Sequence, residues 1–293
     1  MIPVPISDLR VVERAGNLVI DFTVPALSTD NERLRRLRGI DLRAGSGGPN
    51  WEASSRPIPV EAEAPGPVHV DVPVTGWVGR DLIVRVRAAG KHGLHSEWSN
   101  SVRIKVVPPL EAPRIAVAAV TDGVRIAWTP QAGVEAEYRI LKQGPGEEHA
   151  SIAATVKAAE YVDPRTEYGK PYRYSVEAFI RSGDTEARSE PSETVAITPV
   201  DRFAPAVPAG LAATAGLSSV ELSWDPCHEP DLRGYYVYRA SGDKFERAGE
   251  LVTTPAYSDR AIESGKRYRY AISAVDQAGN ESAHSAAVET VAP

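Results

Sequence analysis

Polar and apolar residues alternate along much of the chain, most plainly at Arg267-Tyr268-Arg269-Tyr270-Ala271-Ile272-Ser273-Ala274, where Tyr268, Tyr270, Ile272 and Ala274 share one parity and the intervening residues the other. A period of two is the signature of a strand with one buried face. The same reading gives strands at 6–12, 18–22, 39–43, 102–106, 115–120, 124–128, 138–142, 194–197, 211–215, 220–224, 235–239 and 288–291. No long stretch carries the 3.6-residue period of an amphipathic helix, and Gly, Pro, Asp and Asn fill the gaps. Many short strands divided by such residues predict antiparallel sandwiches.

The pattern repeats. Gly169-Lys170-Pro171-Tyr172-Arg173-Tyr174-Ser175-Val176-Glu177-Ala178 matches 265–274 at an offset of 96 residues, and Trp128 and Trp224 are separated by the same 96. Two landmarks at one offset indicate one module used twice. A looser copy lies at 79–88, with Leu82 in place of Tyr172 and Tyr268, and Phe22 in place of the tryptophans. From Phe22 to Leu82 is 60 residues against 44 in the other copies, so the first module holds about 16 more between its landmarks. A third marker, Ser96-Glu97-Trp98-Ser99, Ser189-Glu190-Pro191-Ser192 and Ser282-Ala283-His284-Ser285, recurs every 93 residues. The division is therefore 1–108, 109–200 and 201–293, with proline-rich joints at 107–113 and 199–208. Proline favours extended backbone, so both joints are expected to act as semi-rigid spacers that set the modules end to end.

An early-strand tryptophan, Gly234-Tyr235-Tyr236-Val237-Tyr238-Arg239, the Gly-Lys-Arg-Tyr run at 265–268 and Asp276-Gln277-Ala278-Gly279-Asn280-Glu281-Ser282 together resemble a bacterial fibronectin type III domain. The match is most specific in the third module and loosest in the first. It implies three tandem immunoglobulin-like sandwiches. It also implies that Tyr172 and Tyr268 are corner tyrosines whose hydroxyls bond nearby backbone, a role Leu82 cannot take.

Composition narrows the function. With 42% hydrophobic and 25% charged residues the chain is globular, and each module can bury a core. The modules carry 14 basic and 12 acidic residues, 10 and 14, and 9 and 13, giving +2, −4 and −4. None has the basic excess of a nucleic-acid binder, and no run of about 18 apolar residues suggests a membrane span. The single cysteine, Cys227, allows no internal disulfide, and no Cys/His spacing suits zinc. Met1 leads into Ile2-Pro3-Val4-Pro5 without a leader pattern. Either the protein is cytosolic or an export segment has been removed; the family resemblance favours the second, and with it an extracellular, cell-surface or periplasmic location.

No Gly-x-Ser-x-Gly, HExxH, Walker or dinucleotide fingerprint is present, so no catalytic residue, cofactor or metal ligand is assigned and no enzymatic activity is expected. His92 and His95 read as a solvated loop. Asp225, Glu229 and Asp231, near Cys227 and His228, imitate a calcium or catalytic cluster, but Pro226 and Pro230 mark an ordinary inter-strand loop. Arg33, Arg35, Arg36 and Arg38 form the one basic run, read as a structural connection with an anionic-ligand patch as the rival. Phe203 is a candidate for packing between modules.

Trp98 is the informative outlier. With Ser96 and Ser99 it resembles half of the serine-tryptophan motif of cytokine receptor modules, and Arg85 and Arg87, on the outward parity of the neighbouring strand, are placed to stack on it. Tyr236 and Tyr238 form the only outward aromatic pair on which a glycan could lie. The functional expectation is a non-catalytic surface-attached spacer, adhesion or scaffolding protein. Its partner is an unidentified protein or glycan, self-association is possible, and a lipid anchor would sit on a segment before Ile2. The alternatives are the accessory part of a polysaccharide-degrading enzyme and the subunit of an extracellular filament.

Overall fold

A computed structural model describes residues 1–34, 36–90 and 93–293. Arg35 of the basic run, His92 of the histidine pair and Lys91 lie outside the described residues. The chain is all-β, with one helical turn, α1 (Trp51–Ser54), among the described residues. Contacts divide it into two compact units, 1–118 with 122–199, and 119–121 with 200–293.

The first segment contributes β1 (Arg10–Arg14), β2 (Asn17–Val24), β3 (Gly39–Gly45), β4 (Arg56–Ile58), β5 (Gly66–Pro73), β6 (Asp81–Ala89) and β7 (Val102–Lys105). They form two sheets, ordered β1-β2-β5 and β4-β3-β6-β7. The second contributes β8 (Ile115–Val120), β9 (Gly123–Trp128), β10 (Glu137–Gln143), β11 (Ser151–Val156), β12 (Glu160–Asp163), β13 (Tyr172–Ser182), β14 (Thr185–Arg188) and β15 (Val195–Ile197). Here the sheets are β8-β9-β12 and β11-β10-β13, with β14 and β15 both paired to β13. The third repeats the scheme with β16 (Ala212–Ala215), β17 (Val220–Ser223), β18 (Leu232–Ala240), β19 (Glu246–Arg247), β20 (Ala256–Asp259), β21 (Arg267–Asp276) and β22 (Val288–Val291), in sheets β16-β17-β20 and β19-β18-β21-β22.

The alternating residues fill three cores. Phe22, Trp128 and Trp224 are all buried, each in a separate hydrophobic cluster between its two sheets. Tyr172 and Tyr268 accept hydrogen bonds from the backbone N–H of Glu167 (3.0 Å) and Glu263 (3.1 Å), closing the corner before β13 and β21. Leu82, at the same place in the first segment, is buried among apolar neighbours. The extra residues of that segment include the connections 25–34 and 36–38, anchored by buried Leu34 and Leu37, and α1, whose Trp51 indole N–H donates to the Ile83 carbonyl at 3.1 Å.

A second polar core element recurs within each of the later segments. Asp163 accepts from the Tyr174 hydroxyl at 2.7 Å and pairs with Lys142 at 2.7 Å. Asp259 accepts from Tyr270 at 2.8 Å and pairs with Arg239 at 2.9 Å. Burial works to raise the Asp163 carboxyl, but the Lys142 and Tyr174 bonds outweigh it and hold the group below its ordinary value. Burial and the bonded carboxylates push both tyrosine hydroxyls well up.

The first two segments are joined by more than the proline-rich joint. β14 lies parallel to β1, with Glu13 opposite Ala187 and Arg14 opposite Arg188, so sheets of the first two segments run into one. The β13–β14 turn also reaches β7: the Asp184 N–H donates to the Arg103 carbonyl (2.8 Å), the Arg103 N–H returns to the Asp184 carboxylate (3.0 Å), and the Lys105 N–H donates to Ser182 Oγ (2.9 Å). Two sandwich edges that would otherwise be open are thereby covered. Gly183 is required at the turn: its φ is +62°, and a Cβ there would lie 2.5 Å from the Arg103 carbonyl oxygen.

Candidate functional site

The outer face of the larger sheet carries an arginine-aromatic stack in each segment. In the first, β6 presents Arg85 and Arg87 outward because Val84, Val86 and Ala88 take the inward parity. Arg87 lies over the Trp98 ring at 4.1 Å, while Arg85 lies over Trp51 at 4.9 Å instead of over Trp98. The two indoles meet edge to face at 5.2 Å. Glu52 closes the group, accepting from Arg87 (2.6 Å) and from the Trp98 indole N–H (3.3 Å). These bonds, the Trp98 one first, hold the Glu52 carboxyl below its ordinary value. Trp51 could not be assigned a place from the pattern because it sits on a helical turn outside any alternating run.

In the second segment Arg139 lies over Phe179 at 3.9 Å and pairs with Glu177 and Glu186. In the third, Tyr236 and Tyr238 do take the outward parity of β18, with Tyr235 and Val237 buried beneath them. Neither ring is left open. Arg247 covers Tyr236 at 3.6 Å, His284 stacks on Tyr238 at 4.1 Å, and the Tyr238 hydroxyl is hydrogen-bonded to Glu281. Arg247 also pairs with Glu281 at 2.8 Å. His284 occupies the place in Ser-Ala-His-Ser that Trp98 has in Ser-Glu-Trp-Ser, but its ring contacts are Tyr238 and Phe245 where Trp98 carries Arg87.

The remaining polar candidates separate. His95 is exposed. Arg33, Arg36 and Arg38 project outward from the loop that Leu34 and Leu37 anchor. In the loop after β17, Glu229 accepts from the Ala206 N–H at 2.8 Å and the Cys227 N–H donates to the Tyr235 hydroxyl at 2.8 Å. Asp231 leaves that loop group and joins Asp201 and Asp276, whose carboxylate oxygens lie within 4.8 Å of one another. Asn280 braces the trio, its backbone and side-chain N–H groups donating to Asp276 at 2.8 Å each. Three hard oxygens are half or fewer of the ligands calcium takes, so the trio could supply only part of such a shell. The three residues are 30 and 45 apart in the chain, which hid the grouping from any spacing rule.

No protein-family model matches the chain. Exoglucanase B of Cellulomonas fimi is 36% identical over 148 residues, which cover 47% of this chain and 13% of the relative. An amylopullulanase of Thermoanaerobacterium saccharolyticum is 42% identical over 94 residues, 31% of this chain and 7% of the relative. The chain thus spans a small fraction of the length of both relatives. Among solved structures, the chicken CNTN1 FN1–FN3 domains align over 99% of both chains at 18% identity, with a TM-score of 0.32.

Proposed function

We propose that the chain, a tandem array of sandwiches of the fibronectin type III kind, is a non-catalytic accessory portion of an extracellular polysaccharide-degrading system, positioning other parts of it. The observation that carries this reading is the pattern of similarity: 148 residues of the chain match an exoglucanase and 94 match an amylopullulanase, each time as a minor part of the enzyme. A unit shared by enzymes of different names is a poor carrier of either activity. Fold likeness alone would not carry this, since one fold hosts many functions.

The surface supports positioning over sugar capture. Glycan platforms depend on flat aromatic faces free to stack, and here the outward tyrosines are covered by Arg247 and His284. The test is direct. The purified chain, incubated with cellulose, amylose and pullulan, is expected to release no reducing sugar and to remain in the supernatant when insoluble cellulose is pelleted. Sugar release abolished by a single carboxylate substitution would overturn the non-catalytic reading, and saturable retention on cellulose would replace positioning with binding.

A further inference from the structure

Glu13 is a carboxyl buried with one of its oxygens unpartnered. It lies on β1 with Val11 on the core-facing parity, is 2% exposed, and has one partner, the Val107 backbone N–H at 3.1 Å to Oε2. Its other oxygen, Oε1, is buried without a hydrogen-bond partner. The open side of β1 is closed by β14: Ala187 stands opposite Glu13, the Ala15 N–H donates to the Arg188 carbonyl at 3.1 Å, and the Thr185 hydroxyl bonds the Val11 carbonyl. Ala187 and Ser182 are themselves buried there. The β13–β14 hairpin is the cover between this carboxyl and water on that side.

The charged groups around it are committed elsewhere. Arg14, on the same strand but the opposite parity, pairs with Glu177. Glu186 and Arg188 of β14 pair with each other and Glu186 with Arg139. Arg103 and Lys105 of β7 are exposed, as is Asp184 at the turn, which bonds backbone. β2 sets Leu18 opposite Glu13. Among the described residues no cation reaches the carboxyl, so its anion has nothing to offset desolvation.

We propose that the β13–β14 hairpin is a pH-dependent latch between the first two segments, docked against β1 and β7 while Glu13 is protonated and released increasingly as Glu13 ionises. Geometry supplies the reason: ionised Glu13 needs water, and withdrawal of the hairpin admits it. Burial pushes the carboxyl up to about 7 from an ordinary 4.5, opposed only by the Val107 bond. A group whose folded value is raised this way is harmless below 4.5 and increasingly unfavourable to the closed form as pH climbs toward 7. With these two values, linkage raises the open-to-closed ratio about thirty-fold between roughly pH 5.5 and 8.5.

The experiment is hydrogen exchange of the full chain at several pH values, corrected for intrinsic rates and referenced to β21 of the third segment. The amides of β14 and of the Arg103–Lys105 edge should lose protection by roughly ten- to thirty-fold from about pH 5.5 to 8.5, and Glu13→Gln should abolish that dependence while keeping the low-pH protection. Equal pH dependence in wild type and Glu13→Gln would overturn the latch. Should the variant fail to fold, carboxyl-carbon NMR titration of Glu13 in the wild-type chain decides the matter: a midpoint in the ordinary carboxylate range overturns it. So does a raised midpoint with β14 protection unchanged across the range.

Discussion

Ser96 and Ala88 form a closed pair: the Ser96 N–H donates to the Ala88 carbonyl at 3.0 Å, and the Ala88 N–H returns to Ser96 Oγ at 3.1 Å. Ser189 with Ala178 and Ser282 with Ala274 repeat it, and the second serine of each motif does the same two residues earlier on the partner strand, at Val86, Val176 and Ile272. Each serine hydroxyl stands in for the carbonyl that a regular strand would present. That is why the spacing Ser-x-x-Ser recurs where β6, β13 and β21 would otherwise lose their neighbour.

Ser282→Ala should therefore leave the buried Ala274 N–H without an acceptor. The expected destabilisation is about 1–3 kcal/mol, seen as a lowered denaturant midpoint with an unchanged slope. A change below about 0.5 kcal/mol would show that water satisfies the amide.

Trp224→Ala should cost about 3–5 kcal/mol, because the ring fills the core of the third segment. Its indole N–H is buried without a partner, so Trp224→Phe forfeits volume and no hydrogen bond. Equilibrium unfolding should place the Phe variant much nearer wild type than the Ala variant.

The Asp163 site predicts acid sensitivity. Its carboxyl is held below the ordinary 3.8, so its stabilising contribution is present above 3.8 and is lost as pH falls through the lower folded value. Asp163→Asn should lower stability near neutrality by about 1.5–3 kcal/mol, the range for hydrogen bonds to charged groups. It should also flatten the decline of thermal midpoint in acid; parallel declines in both proteins would assign the acid loss to other groups.

Trp98→Ala should be mild. The ring is half-buried on an outer face, and loss of the Arg87 stack is worth about 0.5–2 kcal/mol. Thermal unfolding is the measurement, and a loss above about 3 kcal/mol would mean that the stack organises the sheet beneath it.

Gly183→Ala should strain the β13–β14 turn, both by its positive φ and by contact with the Arg103 carbonyl. Hydrogen exchange should increase at β14 and at Arg103–Lys105 while β16 to β22 stay unchanged. An unaltered β14 would remove the turn from the junction.

What the sequence determined by itself was local and repeated. Alternation in 267–274 orients each residue of a strand without reference to its neighbour, and Trp128/Trp224, Tyr172/Tyr268 and the serine pairs fix like positions because each copy restates them. The short polar strand Thr185-Glu186-Ala187-Arg188 has no such alternation to read; it folds back on β13, and its other edge is taken by β1, more than 170 residues away in the chain. Pairing of distant edges leaves no period behind. For the same reason Glu13, ordinary in the sequence, became a buried carboxyl only when that edge closed, and Arg85 took Trp51 instead of Trp98 because a helical turn outside the repeat brought a second indole to the face. Periodicity records which side of a strand is buried; only the assembled fold decides what it is buried against.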